Sequence, residues 1–503
     1  MPHAPASDSD SHAALRRSVY LLLIAIAAGN VAGRLFAVNS VDTIRLESHI
    51  NLQTARNHTG GGEPVRRELE RPFLSANDRS RWCTVRALVE HGTYAIDRII
   101  VEPNWDTIDM VKHDGRGNPA PGPDEGHCYS SKPPLLATLM AGEYWLLHRV
   151  TGKTLGSHPH ELGRILLFTW NVIPLVAYLV ILAGIAERYG RTDFGRILVM
   201  AAGAVGTLVT SYAVVFTNHW PAAFAAMLSL DAVLRIVVDG ERRWWWFLIG
   251  GTAAAFTAAC ELPALSWGVC VLTLLAWKSP RTTLLAAAPG IAVVVAAAIG
   301  TNYMAHGTMA PAYAQRHVAG GWYDYQYRRD NRVIDSYWKP TTPKSKIDLG
   351  EPSVIAYAFD VTVGHHGIFS LTPVWIVSLA GIGMVLRRRA EAGESRCAER
   401  RAIAAAILAC TVACLVFYVT RPLGDRNYGG TATGFRWVIW FTPLWLYAML
   451  PAADAMAGYR SRRLVAAGLL AISVLTASYP TWNPWTLPWL QVFMDYAEGP
   501  PGM

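Results

Sequence analysis

Charged residues are scarce in this chain. Of its 503 residues, 16% are Asp, Glu, Lys or Arg, whereas 52% are hydrophobic. A soluble globular protein usually carries about 25% charged residues. The charges are also unevenly spread, because apolar runs such as 165–186 and 199–216 separate them. Runs of about 18 or more apolar residues are long enough to cross a bilayer. The composition therefore predicts membrane-spanning helices and argues against a large soluble protein.

Cysteine is scarce as well, with seven residues in the whole chain. That number is too small for a fold held together by disulfides. Cys83 and Cys128 fall in the first polar region rather than in an apolar run. Cys83 lies near Asp78 and Cys128 lies near Lys132, two residues discussed below as candidate site residues. Both cysteines are predicted to face the outside, where an oxidised pair would join the two segments. We therefore predict a disulfide between them.

The basic residues form short clusters beside the apolar runs and give a net charge of +8. Such clusters are typical of orientation signals in membrane proteins, so no nucleic-acid partner is expected. They fall in every second connection between the predicted spans, which indicates a cytoplasmic N-terminus and an external C-terminus. The predicted spans are 18–37, 163–186, 194–216, 220–238, 244–260, 262–277, 283–304, 367–386, 401–420, 437–457 and 464–480.

These spans divide the chain into seven predicted parts. The protein is expected in the cytoplasmic (inner) membrane as a multi-pass protein, with its long loops and its active site on the external, periplasmic side. The parts are a cytoplasmic tail (1–17), the first transmembrane helix (18–37), a first external loop with juxtamembrane helices (38–162), a transmembrane bundle (163–304), a second external loop (305–366), a C-terminal transmembrane bundle (367–480) and an external tail (481–503).

One apolar segment, 133–150, decides this topology. If it crossed the membrane, every later basic cluster would move to the outside. It opens with two prolines and contains Glu143 and Arg149. A helix lying in the membrane interface is therefore the less costly arrangement. The alternation of the basic clusters requires the same arrangement.

Two charged residues of the first external loop stand at the start of predicted surface helices. Asp78 occupies an N-cap position, where it either only caps the helix or also serves as a base or metal ligand at the membrane surface. Lys132 precedes two prolines that fix the backbone near the headgroups. Its ammonium group suits a phosphate, and an interfacial lysine that extends toward water is the alternative.

Further polar residues outside the spans are candidate site residues. His219 is either a ligand or base, or an interfacial histidine with an ordinary hydrogen bond. Tyr323 and Asp324 lie in an aromatic and basic stretch that suits sugar binding or an aromatic belt on lipid. His366 stands at the entry of the next span. Arg436 offers a second phosphate contact.

Three sequence motifs resemble those of a known enzyme family. The sequence NDRSRW at 77–82, followed by an amphipathic helix, and the sequence KPPL at 132–135 are similar to the first loop of the GT-C glycosyltransferases. The closest likeness is to the protein O-mannosyltransferase-like branch, which includes the aminoarabinose transferases that modify lipid A. The sequence GGTATGFR at 429–436 is similar to a Gly-Gly turn before a late helix in many bacterial members.

The resemblance implies a fold and a reaction. The fold would be an all-α GT-C-like bundle of about eleven transmembrane helices, with juxtamembrane helices in the long first loop. The reaction would transfer a sugar from a polyprenyl-phosphate-linked donor to an acceptor lipid, polysaccharide or protein. Asp78 would be the catalytic base, and Lys132, Arg81 and Arg436 would contact the donor phosphate.

The chain also departs from the family pattern. An acidic residue often precedes the Lys-Pro motif, whereas Ser131 stands here. The turn after the third span often carries Asp, whereas this chain has Asn218 and His219. These departures leave open whether a divalent metal ion takes part.

Three other functions fit the sequence less well. A flippase or transporter would more often show paired repeats and charges in the middle of the membrane. A non-catalytic membrane protein would give Asp78 and Lys132 structural roles only. A polymerase or ligase with the same fold would use a polyprenyl-diphosphate donor.

Overall fold

The protein is a mainly helical membrane protein. The computed structural model describes residues 8–37, 73, 75–329, 332–388, 396–481 and 483–497. Parts of the predicted segments 1–17, 38–162, 305–366, 367–480 and 481–503 lie outside these residues. Seven of the described helices are long and apolar enough to cross a membrane, and three shorter ones are apolar. The predicted class, an all-α polytopic membrane protein, is confirmed.

The described part of the chain contains seventeen helices, four short strands and four further short 3₁₀ helices, Ala312–Gln315, Lys346–Leu349, Leu423–Asp425 and Arg436–Phe441. The helices are α1 Asp8–Ala37, α2 Ala76–His91, α3 Asp97–Ile100, α4 Pro134–Thr151, α5 Pro159–Tyr189, α6 Asp193–Tyr212, α7 His219–Val238, α8 Trp244–Cys260, α9 Leu262–Lys278, α10 Pro280–His306, α11 Val354–Thr362, α12 Ile368–Leu371, α13 Trp375–Arg387, α14 Cys397–Val419, α15 Thr442–Met456, α16 Arg460–Ser478 and α17 Trp489–Ala497. The strands are β1 Met110–His113, β2 His127–Ser130, β3 Gln326–Arg329 and β4 Arg332–Asp335.

Three predicted spans are interrupted in the structure. The span predicted at 194–216 breaks within α6, between the segments Asp193–Val205 and Leu208–Tyr212. The span predicted at 367–386 is two helices, α12 and α13, and Pro373 lies between them. Proline has no backbone N–H to donate and disfavours the helical conformation of the residue before it. The span predicted at 437–457 begins as a short 3₁₀ helix, Arg436–Phe441, before α15. Apolar composition alone did not reveal these breaks.

Charged side chains join the helices at one end of the bundle. The contacts connect five of the basic clusters that are predicted to be cytoplasmic, because each pair includes a cluster residue or its close neighbour. These clusters lie at 16–17, 188–191, 242–243, 278–281 and 387–401. These clusters therefore lie at one end of the bundle, and the side of the membrane that this end faces stays a prediction. The contacts are Arg16–Glu187 (2.5 Å), Arg188–Asp239 (2.9 Å), Lys278–Glu399 (2.7 Å) and Arg400 over the ring of Tyr189 (5.9 Å to the centroid).

The helix α2 begins at a capping box. The side chain of Ser75, the N-cap residue, accepts hydrogen bonds from the backbone N–H groups of Asn77 and Asp78. In return, Oδ1 of Asp78 accepts from the N–H of Ser75 (2.7 Å) and from that of Arg79 (2.9 Å). Asp78 is therefore the third residue of the first turn rather than the N-cap itself, and it stabilises the helix start.

The described parts of the first and the second long loop pack against each other. β1 and β2 pair as an antiparallel hairpin in the first loop. The ammonium of Lys112, in β1, donates to three carbonyl oxygens, two in the first loop and that of Gln326 in the second (2.8 Å). The indole of Trp338, in the second loop, donates to the carbonyl of Ile108 (2.9 Å). These bonds fix the second loop over the hairpin.

The predicted disulfide is absent. Cys83 and Cys128 are both free and buried. The thiol of Cys83 donates to the carbonyl of Trp105 (3.5 Å), on the buried side of α2. Burial raises the pKa of the Cys83 thiol to about 12, so it resists conversion to the thiolate that disulfide formation requires. The two segments are instead joined by the hydroxyls of Ser80 and Ser130 (2.6 Å).

The predicted interfacial placement of α4 can be tested by labelling. Ser157 follows α4 and Arg191 lies between α5 and α6, and both are exposed. If α4 does not cross the membrane, a membrane-impermeant maleimide added outside should modify Ser157→Cys and leave Arg191→Cys unmodified. The native chain, which has no cysteine at either position, is the control. Labelling of Arg191→Cys with protection of Ser157→Cys would reverse the topology.

Candidate functional site

A cavity of about 1460 Å³ lies where the two long loops meet the bundle. Residues of the first loop, the turn between α8 and α9, the second loop and the 421–437 segment line it. Its lining includes six Lys or Arg side chains and five Asp or Glu side chains, so it carries one excess positive charge when His219 is neutral. The basic residues are Arg79, Arg81, Lys132, Arg316, Arg421 and Arg436, and the acidic residues are Asp106, Asp109, Glu261, Asp348 and Asp425.

An ion pair between Lys132 and Asp109 lies at the wall formed by the first loop. The hairpin register pairs Met110 with Ser130, which places Asp109 beside Ser131 on the neighbouring strand. The N–H of Ser131 donates to the carbonyl of Asp109 (3.1 Å). Lys132 Nζ then lies 3.1 Å from Asp109 Oδ2. The hairpin therefore brings together a carboxylate and an ammonium that are distant along the chain.

Two buried arginines face the cavity with only neutral partners. Arg81 donates through Nε to Oδ1 of Asn218 (3.0 Å) and through Nη1 to Asn77 (2.7 Å to Oδ1). Arg436 donates through Nη1 to Nε2 of His219 (3.2 Å). Among the residues that the structure describes, neither guanidinium forms an ion pair with a carboxylate. Their positive charges are therefore available to an anion.

The Gly-Gly turn holds Arg436 from the other side. Arg436 donates through Nε to the carbonyl of Gly429 (2.9 Å) and stacks over the ring of Trp485 (4.8 Å). Gly429 and Gly430 have φ of +91° and +75°, values that favour glycine. A side chain at Gly429 would also approach Nε of Arg436 to 3.0 Å. The turn therefore needs glycine for its backbone and for its close contact with the arginine.

Burial and mutual repulsion shift the pKa values of the charged groups. The pKa of Lys132 is lowered to about 8, chiefly by burial; Asp109 opposes the shift, and Arg81 and Arg436 add to it. Burial and Arg436 lower the pKa of Arg81 to about 10. Burial alone would raise the pKa of Asp109, but Lys132 holds it below its usual value. The three cations thus repel one another, and the carboxylate of Asp109 offsets part of this repulsion.

One wall of the cavity is apolar. It is formed by the turn between α8 and α9, by α10 and by the end of α14. Leu262, Ile299 and Phe417 line it and are also exposed on the outside of the bundle, at 55%, 41% and 43% of their surface. In a membrane, that outside surface meets lipid. An amphipathic ligand can therefore place its charged group at the arginines and its chain along this wall.

The structure brings together only some of the residues singled out from the sequence. Lys132, Arg81, Arg436 and His219 all line the cavity. The other four do not. Asp78 lines a separate small cavity of about 30 Å³, Tyr323 and His366 are buried in packing between elements, and Asp324 closes a turn of the second loop by donating its backbone N–H to the carbonyl of Gly321.

Asp109 is the residue that the sequence reasoning missed. It precedes the short strand β1 and gains its position only when β1 pairs with β2. The available signal was the pair of short strand-like segments MVKH and HCYS, separated by a Gly- and Pro-rich stretch. Pairing those segments in an antiparallel hairpin places residue 109 beside residue 131.

The carboxylates of the cavity do not suit a metal ion. Asp109 pairs with Lys132 (3.1 Å), Glu261 with His219 (2.5 Å) and Asp425 with His317 (3.1 Å). Within the described ranges of the chain, no group of three or more His, Cys, Asp or Glu residues is arranged to hold a metal. A divalent cation would have to displace these partners.

Comparison with known proteins shows a likeness in structure and none in sequence. No protein-family model matches the chain. No curated protein matches it either. The crystal structure of the Archaeoglobus fulgidus oligosaccharyltransferase in the apo form is similar, with 12% sequence identity and a TM-score of 0.44. The match covers 96% of this chain and 58% of that chain. At this identity and TM-score, the likeness assigns no activity to the chain.

The pKa of Lys132 leads to a prediction about anion binding. Its ammonium is present below about pH 8 and is lost as the pH rises through that value. The affinity for a short-chain polyprenyl phosphate, measured by equilibrium binding in detergent, should therefore fall about tenfold between about pH 8 and about pH 9.5. The charge of the phosphate itself does not change in this range, since its second pKa is about 6.

The variant Lys132→Arg tests whether Lys132 causes the pH dependence of phosphate binding. Lys132→Arg keeps its positive charge throughout this range and should lose little affinity as the pH rises. If the native protein binds the phosphate equally well across the whole range, Lys132 does not contact the anion.

Proposed function

We propose that this protein is a GT-C-type glycosyltransferase that transfers a sugar from a polyprenyl-phosphate-linked donor to an acceptor outside the cytoplasmic membrane. The observation that carries the proposal is the pair of buried guanidinium groups, Arg81 and Arg436, without a carboxylate partner among the described residues. They face one cavity together with Lys132. Arginines with neutral partners are suited to a phosphate, which they bind through two parallel N–H bonds.

The net charge of the cavity favours a donor linked through one phosphate over a donor linked through a diphosphate. Its lining carries one excess positive charge when His219 is neutral. A polyprenyl phosphate sugar is a phosphodiester with one negative charge, whereas a diphosphate-linked donor carries two. Burying an unmatched charge is costly. The monophosphate donor is therefore the better electrostatic match, and the apolar wall offers its chain a path to the bilayer.

The cations also stabilise the charge that develops during transfer. An acceptor hydroxyl or amine attacks the anomeric carbon of the sugar, the bond from that carbon to the phosphate oxygen breaks, and the polyprenyl phosphate leaves with a second negative charge. Arg81 and Arg436 are already in place to stabilise that charge, because Asn218, His219 and Gly429 hold them. Groups oriented in advance need no reorganisation as the charge forms.

We propose Asp109, in place of Asp78, as the base that takes the proton of the acceptor. Asp109 lines the cavity and Asp78 does not. Lys132 now holds the pKa of Asp109 below its usual value, against the effect of burial. When the donor phosphate neutralises the ammonium, the effect of burial prevails and the carboxylate becomes a stronger base. Donor binding would in this way prepare Asp109 for the acceptor.

The roles of the two aspartates can be separated by matched substitutions. Asp109→Asn should lower kcat by about 100-fold or more, the scale for loss of a general base, with little change in donor KM. Asp78→Asn keeps a side-chain oxygen at the helix start, so it should leave kcat nearly unchanged and reduce stability by less than about 1 kcal/mol. The measurement is transfer of the label to the acceptor from a donor labelled in the sugar, with the released polyprenyl phosphate quantified separately.

The same assay tests the function class. Purified native protein should release polyprenyl phosphate and transfer the labelled sugar to an acceptor. A protein that moves the donor across vesicles without releasing polyprenyl phosphate would be a flippase. If Asp78→Asn abolishes transfer and Asp109→Asn does not, Asp78 is the base.

A further inference from the structure

Two adjacent residues at the start of α7 contact two adjacent residues at the end of α8. The side-chain amide of Asn218 donates through Nδ2 to the carbonyl of Cys260 (3.1 Å). Nδ1 of His219 lies 2.5 Å from Oε1 of Glu261. All four residues are buried and line the cavity. These contacts leave Oδ1 of Asn218 and Nε2 of His219 to accept hydrogen bonds from other residues.

Each of those acceptor atoms holds one of the cavity arginines. Oδ1 of Asn218 accepts from Nε of Arg81 (3.0 Å), and Nε2 of His219 accepts from Nη1 of Arg436 (3.2 Å). A guanidinium group only donates, so Nε2 of His219 carries no proton. The ring proton is therefore on Nδ1, facing Glu261. The hydrogen bonds to Cys260 and from Arg436 thus fix the amide orientation of Asn218 and the tautomer of His219.

Neutral partners orient the arginines without cancelling their charge. A carboxylate at residue 218 would pair with Arg81, and one at residue 219 would pair with Arg436. Either ion pair would compete with a phosphate for the guanidinium. Glu261 is the acidic residue in this arrangement, and the imidazole ring of His219 separates it from Arg436. The carboxylate of Glu261 therefore lies next to the imidazole of His219 and not next to the guanidinium of Arg436.

We propose that Asn218, His219 and Glu261 form a positioning unit that holds Arg81 and Arg436 for the donor phosphate. The proposal rests on the proposed function, because it assigns these residues to the same phosphate site. None of the three is a catalytic residue. Their contribution is to phosphate binding, so their loss should weaken the affinity for polyprenyl phosphate, whereas the loss of a base lowers kcat and leaves that affinity unchanged.

A double-mutant cycle tests whether His219 acts through Arg436. The probe is a short-chain polyprenyl phosphate, with its binding to the full-length protein measured in detergent. Arg436→Ala and His219→Ala should each weaken binding about tenfold, the scale of one charge-assisted hydrogen bond. The double variant should bind no more weakly than Arg436→Ala alone. His219→Gln retains a neutral acceptor for Arg436 and should recover most of the affinity.

The possible results separate this proposal from the one on which it rests. Effects of His219→Ala and Arg436→Ala that add fully would mean that His219 acts independently, which overturns the positioning unit and leaves the phosphate site intact. A lowered kcat in His219→Ala with unchanged affinity for the polyprenyl phosphate probe would overturn it also, since a mispositioned Arg436 must weaken phosphate binding. If Arg436→Ala binds the probe as tightly as the native protein, the phosphate site itself is wrong.

Substitution of Asn218 tests whether the hydrogen-bond partner of Arg81 must be uncharged. Asn218→Asp keeps the size of the side chain and still accepts from Arg81, but its charge would cancel that of the arginine. We expect the affinity for the probe to fall about tenfold while thermal unfolding stays cooperative. Asn218→Ser, a smaller neutral residue, should weaken binding less. Equal affinity of Asn218→Asp and the native protein would overturn the role assigned to Asn218.

Discussion

The buried guanidinium groups of Arg81 and Arg436 impose the constraint on which the site depends. Burying a charge without a counter-charge costs several kcal/mol, and the acceptors that hold these two groups are neutral. The rest of the site offsets this cost with hydrogen bonds to Asn218, His219 and Gly429. A bound anion would offset this cost. In the proposed function that anion is the donor phosphate.

The first loop completes the site because two kinds of secondary structure meet there. The capping box of Ser75 and Asp78 starts α2, and the next turn of α2 carries Arg81. The hairpin of β1 and β2 brings Asp109 to Lys132. The hydroxyls of Ser80 and Ser130, 2.6 Å apart, join the helix to the hairpin. A local change in either element would therefore move a charged group of the cavity.

Much of the fold could be predicted from the sequence, because apolar runs between basic clusters carry a strong signal. The sequence also predicts Lys132, Arg81 and Arg436 as candidate site residues, because each of them lies in a short motif. Asp109 could not be found in this way, because the pairing of two strands, and not a local motif, places it in the cavity. The capping role of Asp78 was one of the two roles considered, and the local sequence does not show that its carboxylate lies outside the cavity. The disulfide prediction failed because sequence proximity to two elements says nothing about which side of each element a cysteine occupies.

The most direct test of the phosphate site is a cryo-electron microscopy structure of the protein with a polyprenyl phosphate bound in a lipid nanodisc. We expect density for the phosphate within hydrogen-bonding distance of Arg81, Arg436 and Lys132, with the prenyl chain leaving along Leu262 and Phe417. Phosphate density at another place, with these three side chains still in their present contacts at saturating ligand, would contradict the assignment.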